Sequence, residues 1–198
     1  MTAFGGAAAF ALLLLLAVLV FLVITTYNAV VALRNRIDKA WGNIEVVLQQ
    51  RHDLLPNLVD AVRGAMAFER DVLEEVTRRR AAWSPTDSIP QQAATSDATS
   101  SAVRQLFAVV ERYPELHSTQ NVLDLQDELE RLESMIADRR ELYNDQVYRY
   151  NTRIAQVPGV LLAGLFSWRA RVFFDAEPAA DLVPSSSLTG HDSAGPAA

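Results

Sequence analysis

The fold predicted from the amino-acid sequence is all-α: an N-terminal transmembrane helix followed by an antiparallel four-helix bundle. Three observations predict it. Ala3 to Ile24 form an unbroken run of 22 uncharged residues, and the first ionised side chain is Arg34. Beyond that run, apolar residues recur at steps of three and four, the spacing that gathers them on one helical stripe. Further along, the most regular seam in the chain extends from Val122 to Ile154. The organisation that follows is a transmembrane helix over 3–25, a helical domain over 26–175 with a polar loop at 84–101, and a disordered tail over 176–198.

The membrane helix rests on length. A helix needs about 20 apolar residues to cross a hydrocarbon core of roughly 30 Å, and Ala3 to Ile24, with its leucine centre Leu12 to Leu16, has that reach. A cleaved signal peptide would carry a basic leading region, a shorter apolar stretch and an Ala-x-Ala-like exit. Here only the α-amino group precedes the run and Val23-Ile24-Thr25-Thr26-Tyr27 follows it, so a retained, single-pass anchor in the cell membrane is expected. Arg34, Arg36 and Lys39, opposed only by Asp38, lie close behind the anchor, where positive charge sets orientation. The N-terminus is therefore expected outside and the domain in the cytoplasm.

The first helix of the domain carries Val30, Leu33, Ile37, Trp41, Ile44 and Leu48 on one stripe and continues directly from the anchor, because no Gly or Pro interrupts Ala7 to Trp41. Arg51-His52-Asp53-Leu54-Leu55-Pro56 then reads as a tight reversal near His52, with Asp53 as N-cap and Pro56 in the first turn of the next helix. The competing geometry is a continuous helix bent at Pro56, which costs roughly 3 kcal/mol and needs packing to repair it. The second helix places Leu55, Leu58, Val62, Ala65, Val72 and Val76 on one face. Glu69 interrupts that face, which calls for partial exposure or an arginine partner. Arg78-Arg79-Arg80 close the helix at the negative end of its dipole, four residues after Glu74 and Glu75.

Thr86 to Ser101, rich in Ser, Thr, Ala, Gln and Asp, reads as a solvated loop or a weak helical lead-in after Pro90, with no visible chemistry. A third helix is secure from about Ala102 to Arg112 and stops where Tyr113 precedes Pro114. The fourth begins after Ser118 or Thr119. Its seam is Val122, Leu125, Leu129, Leu132, Ile136, Tyr143, Val147, Tyr150 and Ile154, broken by Arg139. At roughly 55 Å it outreaches a first helix of about 37 Å that ends at His52, so part of it is expected to overhang or to meet a partner. Val157 to Trp168 is an uncharged, mostly apolar run too short to span. An up-and-down order brings it back to the membrane together with Arg34, Arg36, Arg78 to Arg80, Arg149 and Arg153, either as an interfacial segment or as a cap on the open end of the core.

Taken together, Tyr27-Asn28, Leu33-Arg34-Asn35-Arg36, Ala40-Trp41 and Arg51 to Val59 resemble the opening of the LemA family of bacterial and archaeal membrane proteins. Glu111-Arg112-Tyr113-Pro114-Glu115-Leu116 is similar to that family's acidic-Tyr-Pro turn, and Tyr143-Asn144 with Tyr150-Asn151 are similar to its paired Tyr-Asn motif. The match covers roughly 27–82 and 111–174, and Val157-Pro158 departs from the aromatic usual before that proline. The resemblance implies a single-span anchor on an antiparallel four-helix bundle and a poorly defined biochemical activity.

The residues themselves offer little for catalysis. His52, His117 and His191 fall at no metal-ligand spacing, no Glu-x-x-His pair points inward, and neither a G-x-S-x-G nor a phosphate loop occurs. No enzyme activity is expected, and no catalytic, cofactor-binding or metal residue is assigned. Cysteine is absent, which excludes disulfides and thiolate metal sites, and the net charge of −6 argues against nucleic acid as a partner. The expected partners are the lipid bilayer, with its anionic headgroups, and a protein partner or a second copy of the chain. Asn144 and Asn151, beside Tyr143 and Tyr150, are expected to set register by bonding to a neighbouring helix, or to line a polar groove for another protein's segment or a small ligand. Trp41, in the middle of its stripe, is expected in the core. The function expected is a membrane-anchored scaffold or adaptor. The alternatives are an accessory signal transducer with a bistable element at Asp53 to Pro56, or a ligand-binding module whose cavity is lined by Asn28, Asn35, Asn57 and the tyrosines.

Overall fold

The structure, a computed structural model, describes residues 2–64, 66, 69–117 and 119–175; the expected tail over 176–198 lies outside them. Helix α1 runs unbroken from Thr2 to Arg63, 62 residues or about 93 Å. Its N-terminal stretch is long and apolar enough to cross a membrane, and the large side chains of that stretch from Phe10 to Ile24, all but Val23, stand exposed. Such a ring of exposed leucine is unlike a core helix, which hides its apolar surface. At the end of the run Thr25 turns its hydroxyl back onto the carbonyls of Phe21 and Leu22, at 2.9 and 3.1 Å. Burial begins immediately after, at Thr26 and Val30.

The reversal expected near His52 does not occur, because α1 passes straight through Pro56. Proline has no N–H, so the carbonyl four residues earlier, that of His52, loses its helical donor. That carbonyl accepts instead from the Nε of Arg80 at 3.2 Å. Asp53, expected as a cap, is a mid-helix residue bonded to Gln49 Nε2 at 2.8 Å. The chain turns back only beyond Arg63, and α2 (Arg70–Ala81) returns along the last turns of α1. Glu69, the anomaly on the expected second helix, has an arginine partner. It faces Arg112 at 3.4 Å and accepts from the Tyr113 hydroxyl at 3.3 Å.

The polar stretch expected as a loop over 84–101 is helical from Ile89, in α3 (Ile89–Val110). Ser88 starts the helix by donating both its N–H and its hydroxyl to Gln91 Oε1, at 3.1 and 2.7 Å, with Pro90 in the first turn. Propensity there is weak, and tertiary burial overrides it: Gln92, Ala93, Ser96, Thr99 and Ser100 are all buried. A single turn, α4 (Pro114–His117), leads to α5 (Gln120–Ala155), 36 residues long with Thr119 at its N-cap.

Helix α5 descends antiparallel to α1 over its whole length. Arg51 meets Glu133, Arg139 reaches the carbonyl of Asn43 at 2.6 Å, and Trp41 meets Tyr143. The contact with Asn43 accounts for the arginine that interrupts the seam. Because α1 continues to Arg63, its portion beyond the apolar run is about 57 Å long and α5 about 54 Å, so the expected overhang is absent.

In place of a four-helix bundle along the whole domain, the core has two zones. Far from the membrane, α1, α2, α3 and α5 share Leu55, Leu58, Val62, Val76, Leu106, Val110, Val122 and Leu129. Nearer the apolar run, α1 and α5 enclose Val30, Ile37, Ile44, Leu132, Tyr143, Val147, Tyr150 and Ile154, with Ala93 from the start of α3 at the distal edge and Phe174 from the C-terminal segment as cover. A short helix, α6 (Gly159–Phe166), connects the end of α5 to that segment. Only glycine suits position 159, since a Cβ there would stand 2.1 Å from the carbonyl oxygen of Arg153. Ser167 takes a left-handed conformation (φ 53°), Trp168 N–H bonds Ala163 O at 2.9 Å, and residues 168–175 leave as an irregular strap.

Candidate interaction site at the membrane-proximal end

The two Tyr-Asn pairs on α5 hold the strap as a ladder. Tyr143 and Tyr150 donate their hydroxyls to the carbonyls of Val172 (2.9 Å) and Arg169 (3.1 Å). Asn151 accepts from Arg171 N–H at 2.8 Å and donates to Arg171 C=O at 2.9 Å. Asn144 does the same at Phe174, at 2.8 and 3.4 Å. A primary amide presents its acceptor and donor side by side, so each asparagine serves one residue's N–H and C=O as a neighbouring strand would. The spacing follows from geometry. Seven helical residues rise about 10.5 Å and three extended residues about 10 Å, so motifs seven apart on α5 meet backbone groups three apart on the strap. The partner is thus not a neighbouring helix, as expected, and the polar groove is filled by the chain's own segment. Burial pushes the Tyr143 hydroxyl up to about 12, an effect that the charge of Arg171 opposes.

Aromatic packing locks the upper end of the ladder. Trp41, half-buried as part of this core, lies edge-on to Tyr143 at 5.7 Å and against Phe174 at 5.6 Å. Phe174 is fully buried, with the guanidinium of Arg140 4.9 Å above its ring. The lower end meets the base of α1: Tyr27 contacts Phe166 at 5.1 Å and Trp168 at 6.1 Å, and those two rings stack at 5.3 Å. Helix α6 therefore sits at the height where α1 leaves its apolar run. It turns Val157, Leu161 and Leu165 outward, each at least 73% exposed.

Cations surround this end. Arg34, Arg36, Lys39 and Arg169 are exposed, and none forms an ion pair among the described residues. Arg34 and Arg169 line one cleft with Tyr150 and Trp168. Arg171 pairs with Asp38 at 3.6 Å and Arg149 with Asp145 at 2.8 Å. Arg78 to Arg80, expected in the same collar, are elsewhere. They lie beside His52, about 39 Å along α1 from Thr26, with Arg78 and Arg79 paired to Glu75.

A second polar cluster ties α1, α3 and α5 together. Arg51, only 3% exposed, donates to Glu133 Oε1 at 2.8 Å, Ser100 Oγ at 2.9 Å and Ser96 Oγ at 3.0 Å, while Ser100 donates to Glu133 Oε2 at 2.6 Å. A buried guanidinium needs such a full set of acceptors. The serines were not singled out in the sequence. The available signal was their i, i+4 spacing among small residues. His52 packs on Trp83 at 5.1 Å. His191 and the His117 side chain are outside the described residues. Asn28, Asn35 and Asn57 are exposed and spread over about 43 Å of α1, so they do not line one cavity with the tyrosines.

The model of the LemA family matches residues 40–186. Magnetosome proteins MamQ 2 and MamQ 1 of Paramagnetospirillum magneticum are each 25% identical over 181 residues, covering 78% of this chain and 66% of theirs. MamQ of Magnetospirillum gryphiswaldense is similar to the same extent. The chain thus spans slightly less than two thirds of the length of these relatives.

Proposed function

The chain belongs to the LemA family, and from that premise we propose that it is a single-pass, membrane-anchored helical scaffold or adaptor that acts by holding partners and performs no catalysis. The observation that supports this reading is the continuity of α1. One helix is both the apolar run and the spine against which α5 packs, so the domain is carried at a fixed height above the bilayer and does not swing on a linker. The unpaired cations behind the run favour a cytoplasmic domain with the N-terminus outside. The occupant of the scaffold is a protein partner or a second copy of the chain.

Neither alternative has support of the same kind. A signal transducer hinged at Asp53 to Pro56 lacks its hinge, since Arg80 satisfies the carbonyl that Pro56 frees. A ligand-binding module lacks the asparagine-lined cavity. The test is photo-crosslinking in cells from the exposed apolar positions Val46, Leu142 and Tyr148, followed by mass spectrometry. A scaffold yields one protein, or the chain itself, at high yield, and a bound protein leaves the membrane fraction when the chain is deleted. A small molecule retained after gentle detergent extraction, with no crosslinked protein, overturns the reading.

A further inference from the structure

We propose that α6 is a second, interfacial membrane contact, in which its outward apolar face enters the headgroup zone of an anionic bilayer and Arg34 and Arg169 engage the lipid headgroups. The inference rests on the membrane-anchored reading of α1 and adds a lipid surface that the anchor alone does not require.

Four observations carry it. The run Val157 to Trp168 is uncharged and too short to span, so it lies on a membrane or packs against protein. It does not cap the core: of α6 only Gly159 is buried, while Leu161 and Leu165, an i, i+4 pair, face out together with Val157 in the turn ahead of the helix. Phe166 and Trp168 rest on Tyr27, three residues past the end of the uncharged apolar run, so the C-terminal end of α6 lies at the height where that run ends. Tryptophan and tyrosine clustered at that height have the amphipathic character of an interfacial belt. Beside them Arg34 and Arg169, which line one cleft with Trp168, are exposed and have no ionic partner among the described residues, on a chain whose net charge is −6. Segregation of that kind is complementary to an anionic leaflet and not to a neutral one. An interfacial helix is held by this combination of buried apolar face and attraction to anionic lipid.

The absence of cysteine makes the test direct, because a single introduced cysteine takes the only label. The full chain is reconstituted in phosphatidylcholine vesicles with and without phosphatidylglycerol, spin-labelled in turn at Leu15, Leu161, Leu165 and the exposed flank position Leu142. Collision with oxygen and with a water-soluble nickel chelate is then measured. Leu161 and Leu165 are expected to be several-fold more protected from nickel than Leu142, the more so with phosphatidylglycerol present. Arg34→Gln with Arg169→Gln is expected to return them to the level seen in phosphatidylcholine alone. Nickel access at Leu161 equal to that at Leu142, with Leu15 deep in the bilayer, overturns the inference and leaves the anchor intact. A shallow Leu15 would overturn the anchor itself. Dipolar broadening between Leu161 labels on two copies assigns the outward face to self-association and overturns the lipid role, as does protection indifferent to phosphatidylglycerol.

Discussion

Asn151→Ala isolates one rung of the ladder. The substitution removes two backbone hydrogen bonds, at 2.8 and 2.9 Å, and leaves the N–H and C=O of Arg171 without partners in a half-buried site. Each bond is worth about 0.5–1.5 kcal/mol net, and water can reach part of the freed edge, so the local loss is about 2 kcal/mol. At 1.4 kcal/mol per decade, that corresponds to roughly 30-fold faster exchange of the Arg171 amide. The rest of the fold should hold, because Phe174 remains buried between Trp41 and Arg140. Hydrogen–deuterium exchange of the full chain in detergent reads the result by peptide: acceleration over 168–174 with α5 and α1 unchanged. Asn151→Asp should be no better, since it keeps the acceptor for the N–H but turns a second acceptor toward the Arg171 carbonyl. Unaltered exchange over 168–174 would refute the ladder. Uniform acceleration through α5 would instead make Asn151 a general core residue.

Two further outcomes follow from particular contacts. Pro56→Ala should stabilise the protein by about 1–3 kcal/mol, because alanine in a helix interior is favoured over proline by about 3 kcal/mol and Arg80 already recovers part of the difference. Arg80→Ala alone should cost about 1 kcal/mol, but much less when combined with Pro56→Ala, since the new amide at position 56 then satisfies the His52 carbonyl. Additive costs in denaturant unfolding would remove Arg80 from that role. Stability should also fall above pH 10: the unfolded Tyr143 ionises near 10, whereas burial keeps the folded hydroxyl neutral to about 12. The folded state therefore loses ground between pH 10 and 12 and is unaffected below. Tyr143→Phe should flatten that limb of the profile, as followed by thermal unfolding.

Much of the fold was legible because period and burial agree. The stripe from Val30 to Leu48 and the seam from Leu132 to Ile154 pack on each other as their spacing implies, and the start of the seam, Val122 to Leu129, shares the distal core with Leu55 to Val62. The reversal was misplaced because Asp53 with Pro56 has the local chemistry of a helix start. What keeps the helix going is Arg80, brought there by the later turn back into α2, and no local pattern encodes it. The polar stretch failed for a related reason: Ser96 and Ser100 look like loop residues until Arg51 is placed beside them. At the ladder the sevenfold repeat was visible, but its partner was not. Trp168 to Phe174 carries neither helical nor alternating pattern, and it is ordered by the asparagines and not by its own sequence.

Why the strap is needed follows from where α2 and α3 lie. They cover α1 and α5 chiefly in the distal zone, with the start of α3 reaching the proximal cluster only at Ala93 and Ile89, so nearer the apolar run two helices alone would leave Ile37, Trp41 and the seam tyrosines open on one side. A two-helix pair encloses little core, and the strap supplies the missing layer: Phe174 closes over Trp41 and Tyr143, Arg171 reaches Asp38 on α1, and the Tyr-Asn rungs fix the whole to α5. The layer is only as firmly placed as its ends. Its upper end is held by a fully buried phenylalanine, and its lower end by α6 and the aromatic contact with Tyr27 at the base of the anchor. Whatever restrains α6 therefore also restrains the strap, and through it the angle between α1 and α5. The aromatic contacts between α6 and Tyr27 are in this way mechanically part of the proximal core, whereas α2, α3, α1 and α5 pack the distal core without the strap.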